Sequence, residues 1–86
     1  MTRHVQIKVW DNSVLSQSDL DKCREDASTF GASCAKIDSI QPFDEKWVRV
    51  AILVHDQIQP EMVEYSVTIL HGFVAGWMSA RGAEIL

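Results

Sequence analysis

Three groups of residues in this chain have the types and spacing to do chemistry. The first is Cys34, His55 and the carboxylates Asp11 and Asp56, all near places where strands should end. A thiol beside an imidazole that a carboxylate orients is the general form of an activated nucleophile. A tight hairpin at Phe43-Asp44 sets Cys34 opposite Val54 or His55, and the end of the first strand is expected to bring Asp11 to the same edge. No local motif surrounds these residues. The simpler reading is a small hydrophobic Cys34 and a solvated His55. The sequence has no Cys-x-x-Cys or His-x-x-x-His spacing, so no metal is expected, and no motif calls for a cofactor.

The second group is Lys8, Trp10, Trp47 and Arg49, which strand parity places on one sheet face with Gln6, Cys34, Lys36, Leu53 and His55. Aromatics interleaved with cations are how single-stranded nucleic acids are held, by base stacking and phosphate neutralisation. In this the face resembles the RNA-recognition motif, but the strand Lys46-Trp47-Val48-Arg49-Val50-Ala51-Ile52-Leu53 lacks that family's aromatic-glycine signature. A net charge of −4 and a pI near 5.1 argue further against a nucleic-acid partner. With Ala51 and Leu53 included, the face reads as better suited to a partner protein or a sheet-to-sheet dimer.

The third group lies on a long C-terminal helix. Met62, Tyr65, Ile69, Phe73 and Trp77, with Val63, Val67, Leu70, Val74 and Met78, sweep an apolar arc of about 220°. One sheet needs a stripe little more than ~100° wide, so something else must cover the excess. Either the first helix or a loop covers it, or it is a protein–protein interface. Gly72 and Gly76, one turn apart beside the arc, would let another backbone approach closely.

The elements that must position these residues follow from periodicity. Val5, Ile7 and Val9 alternate with polar neighbours as a half-buried strand, and Asp11-Asn12-Ser13 breaks it. Ser16 or Ser18 caps a helix with Leu20, Cys23, Ala27 and Phe30 on its narrow apolar face, and Gly31 stops it. Ala35, Ile37 and Ser39 form a weaker strand, Pro42 to Glu45 a turn, and Trp47 to His55 the best strand in the chain. Pro60 opens the second helix, which should end near Gly82, and Ala83 to Leu86 are left to add a short edge strand. The order βαββα(β) predicts an α+β fold, ferredoxin-like, with two helices on one face of a small, mainly antiparallel sheet.

At 86 residues the chain has room for one domain, spanning 1–86, and a thin core that a second copy would extend. Two cysteines are too few for a disulfide framework. The start of the chain reads as no secretory leader, and the stretch from Met62 to Met78 is interrupted by Glu64, Ser66, Thr68 and His71, a poor membrane span. The expected location is the cytoplasm, with reduced thiols.

The opening Val5-Gln6-Ile7-Lys8-Val9 strand, polar turn and serine-capped helix resembles the start of the tautomerase superfamily over about a quarter of the chain. Those enzymes use an N-terminal proline exposed by methionine removal. Thr2 stands here instead, so no site is carried over.

The function expected is therefore that of a non-enzymatic protein–protein interaction module. It should be a homodimer built on Met62, Tyr65, Ile69, Gly72, Phe73, Gly76 and Trp77, on the outer sheet face, or on both. The alternatives are a small enzyme or small-molecule-binding protein with a pocket at the sheet edge or dimer seam near Cys34 and His55, and a single-stranded nucleic-acid binder. A small acidic inhibitor of a nucleic-acid-handling enzyme is also compatible with the charge.

Overall fold

Alternation and capping resolve into five regular elements in the computed structural model, which describes residues 1–29 and 34–86. They are β1 (Thr2–Lys8), α1 (Gln17–Ser28), β2 (Ala35–Phe43), β3 (Trp47–Val54) and α2 (Pro60–Ala80). A single 3-10 turn, Asn12–Val14, separates β1 from α1. Phe30 and Gly31, expected on and after the first helix, lie outside the described residues. The architecture is α+β, with two helices and a three-stranded antiparallel sheet in the order β1-β3-β2. Among the described residues no helix is long and apolar enough to cross a membrane.

The strongest strand is central. Val48, Val50, Ile52 and Val54 of β3 are buried on one face, beside Ile7 of β1, Val9 just past it, and Ala35, Ile37 and Ile40 from β2. Leu20, Cys23 and Ala27 of α1 and Val63, Val67, Leu70, Val74 and Met78 of α2 join the same core, so both helices cover that face. Ser16 caps α1: its hydroxyl accepts from the Asp19 amide at 3.0 Å and the Asp19 carboxylate accepts from the Ser16 amide at 3.1 Å. Pro60 opens α2, whose entry has no side-chain cap.

Three local features depart from the sequence pattern. A register shift between Ile37 and Ser39 inserts Asp38 as an extra residue, so Ser39 pairs with Ala51 and Ile40, rather than Ser39, keeps the inward parity. β2 then runs on through Pro42 to Phe43, which pairs with Trp47, and the hairpin turns at Asp44 to Lys46 with Asp44 at φ 51°. The extended edge of β2 is met by α1: Arg24 Nη1 donates to the Asp38 carbonyl and Gln17 Nε2 to the Ile40 carbonyl, each at 3.3 Å.

Asn12 anchors the turn. Its buried amide Nδ2 donates to the carbonyls of Asp44 at 2.9 Å, Trp47 at 3.0 Å and Phe43 at 3.4 Å, while its backbone N–H donates to Glu45 at 2.8 Å. A residue that reads as a strand breaker is therefore the clamp between β1 and the β2–β3 hairpin. At the far end of the chain Ile85 bridges antiparallel to Val9, and hydrogen bonds link Leu86 to Lys8 and Trp10 to Glu84. The expected edge contribution of the last residues takes this short form.

Candidate functional site

The strand register decides the fate of the thiol–imidazole pair. Ala35 pairs with Val54, and the His55 N–H donates to the Cys34 carbonyl at 3.1 Å, so these two residues do meet across the strands. Asp11 does not join them, a correction to the sequence reading. β1 runs antiparallel to β3, with Thr2 opposite Leu53 and Lys8 opposite Trp47. The end of β1 is thus beside the hairpin turn, about 26 Å of strand away from His55. Asp11 there accepts from the Ser13 N–H at 2.9 Å, and that hydrogen bond holds its carboxyl below the usual range. Asp56 is nearer in sequence, but its carboxylate pairs with the Met1 ammonium at 3.1 Å. Cys34 is half-buried, and Cys23 is fully buried in the core, where desolvation pushes its thiol up to about 12.

His55 also lines a cavity of about 380 Å³ with Met1, Arg3, Ile58, Val63 and Glu64. The size suits a small ligand. However, the charges at its walls are already matched, since Arg3 holds Glu64 through two hydrogen bonds of 2.6 and 3.3 Å. Among the described residues no cluster of His, Cys, Asp or Glu could hold a metal ion.

The apolar arc of α2 divides in two. Val63, Val67, Leu70, Val74 and Met78 face the core, and Phe73 and Trp77 pack partly against it. Trp77 is tied down further: its indole N–H donates to Asp26 of α1 at 2.9 Å, and Arg81 lies 4.2 Å from its ring. That hydrogen bond, with Lys22 beyond it, holds the Asp26 carboxyl low. Thus α1 covers one end of the excess arc, as a helix neighbour should. The other flank stays open, with Tyr65 61% and Met62 44% exposed. Thr68, Ile69, Gly72, Phe73, Gly76 and Trp77 line a shallow trough of about 640 Å³ along it. A Cβ placed on Gly72 or Gly76 would meet nothing within 4 Å.

The outer face of the sheet is a second open surface. The pairing lays four rows across it: Thr2, Leu53 and Lys36; His4, Ala51 and Ser39; Gln6, Arg49 and Gln41; Lys8, Trp47 and Phe43. Trp47 and Phe43 lie nearly parallel at 17°, with centroids 6.2 Å apart. Lys8 sits 5.7 Å from the Trp47 ring and Arg49 4.6 Å from that of Phe43. Just past the strand Trp10 is 61% exposed, with Lys46 4.6 Å from its ring. The sequence placed Lys8, Trp10, Trp47 and Arg49 on this face but missed Phe43 and Lys46. The sequence pattern puts Phe43 in a turn that in fact begins two residues later, at Asp44, and puts Lys46 at the start of the third strand, whereas it ends that turn.

Comparison with family models, curated proteins and solved structures gives no match for this chain.

Proposed function

We propose that the protein is a non-enzymatic interaction module that pairs with a second copy of itself through the open flank of α2. The observation that carries this reading is the pair of interior helix glycines that nothing among the described residues requires. Each costs a helix about 1 kcal/mol relative to alanine. No described neighbour lies close enough at either position to exclude a methyl group. A partner helix seated against this flank would use the missing side chains, with Tyr65 and Met62 as the large apolar contacts beside them. The outer sheet face suits a two-fold dimer less, because pairing it with itself would bring a face that carries Lys8, Lys36 and Arg49, and no carboxylate in its rows, against an identical one.

The wider arrangement is read as ferredoxin-like. The order β1-β3-β2, with the last residues alongside β1, supports it. A cytoplasmic location with reduced thiols completes the reading.

Sedimentation equilibrium at micromolar concentration tests the proposal. The expected result is a dimer of the 9.7 kDa chain that Tyr65→Arg converts to monomer without loss of the fold. A wild-type monomer throughout that range would overturn it, as would a dimer indifferent to Tyr65→Arg.

A further inference from the structure

We infer that the outer face of the sheet is a binding surface for single-stranded nucleic acid. The net charge of the chain hides how its charges are distributed. Of eight lysines and arginines, three, Lys8, Lys36 and Arg49, lie in the four rows of this face, and a fourth, Lys46, stands at its rim. Of 12 aspartates and glutamates, none occupies a position in those rows. Carboxylates do border it: Asp38 at the bulge on the β2 edge, Asp44 and Glu45 in the hairpin turn, and Asp11 next to Trp10. Ion pairs among the described residues join Met1 to Asp56, Arg3 to Glu64 and Lys22 to Asp26 and use none of these four cations, of which only the rim residue Lys46 is described as feeling a carboxylate, that of Asp11. Keeping like charges together on one exposed face works against folding, and a polyanion laid along the face reverses that cost.

Charge alone would suit an acidic peptide equally well. The aromatic side chains favour a nucleic acid. Trp47, Phe43 and Trp10 offer π surfaces at one end of the face, and the Arg49 guanidinium adds a planar cation of the kind bases stack on. Gln6, Gln41 and Ser39, each projecting outward by register, supply donors and acceptors for base edges. Between the aromatic row and Lys36 the face is low, because Ala51 is its middle residue, and successive rows are about 6.6 Å apart. An extended strand can therefore cross from Lys36 to Trp10, with phosphates against the cations and bases against the rings.

The test uses the whole chain and oligothymidylate or oligouridylate of about 12 nucleotides, followed by tryptophan fluorescence at several salt concentrations. Polyglutamate of equal charge is the competing probe. The expected result is saturable binding at low salt, with a slope of log K against log salt between about −2 and −3, from roughly 0.7 per phosphate neutralised. Lys8→Ala and Arg49→Ala should each make the slope shallower by about 0.7, with an unchanged melting temperature as the control for folding. Trp10→Ala should weaken binding at least about fivefold while leaving the slope alone. Absence of oligonucleotide binding at low salt would overturn the inference. So would polyglutamate binding as tightly as the oligonucleotides, which would assign the face to an acidic protein, or binding that ignores all three substitutions. None of these residues lies on the α2 flank, so the result is independent of the dimer.

Discussion

Replacing Gly72 and Gly76 together with alanine separates what the fold needs from what a partner needs. Both residues lie inside the 21-residue helix α2, and a methyl group at either meets nothing within 4 Å. Neither substitution therefore carries a steric penalty, and each recovers about 0.8–1.0 kcal/mol of helix propensity. The two sites are one turn apart, and their methyl groups do not compete for space, so the effects add to about 1.6–2 kcal/mol. For a domain of this length 1 kcal/mol moves the midpoint by about 4–8 °C, which predicts a rise of roughly 6–16 °C. Thermal unfolding followed by circular dichroism at submicromolar concentration, where association contributes least, is the assay. At high concentration the same variant should lose association, because the added methyl groups hold a second backbone away. A lower midpoint at dilution would refute the description of this flank as open. A higher midpoint with unchanged association would leave the fold intact and remove the glycines from the interface.

Asn12→Ala should destabilise the chain by about 1–3 kcal/mol in chemical denaturation, since one side chain serves three carbonyls of the hairpin. An effect below about 0.5 kcal/mol would mean that water replaces it without loss. Gly82→Ala should cost about 1 kcal/mol or more although space is open there, because the residue sits at φ +94°. Cys23 gives a pH signature. Its thiol is held neutral to about 12 in the fold, whereas the unfolded thiol ionises near its ordinary value of 9.0. Its contribution is therefore complete below pH 9 and is lost as pH rises toward 12, at up to about 1.4 kcal/mol per pH unit. Cys23→Ala should flatten the alkaline limb of stability against pH, and a limb unchanged in that variant would contradict the burial argument.

The order of elements was readable because its signals are local. Alternation in β3, the Ser16 cap and Pro60 each report on a few neighbouring residues, and all three appear where the sequence places them. What was not readable depends on register. The bulge at Asp38 changes parity halfway along β2, and no residue type there announces it. The turn at Asp44 rather than at Pro42 moves Phe43 into the sheet and brings it onto the aromatic row. Asp11 was assigned to the wrong end of the sheet because strand direction, unlike strand existence, is set by distant partners. Trp77 looked like pure apolar surface until its indole N–H found Asp26, 51 positions away. Asn12 has the composition of a loop residue, and only the assembled hairpin gives its amide something to hold.

The guarded edge of β2 has a consequence for the life of the chain in a crowded solution. An exposed strand edge is a template on which another extended chain can add, and repetition of that step leads to fibrils. Here the bulge at Asp38 bends the edge, Pro42 removes one donor from it, and Arg24 and Gln17 already occupy two of its carbonyls. A strand arriving along β2 finds no continuous ladder to extend. Substitutions that straighten this edge, such as Pro42→Val combined with Arg24→Ala, should therefore matter less for the unfolding midpoint than for the lag time before thioflavin-positive aggregates form.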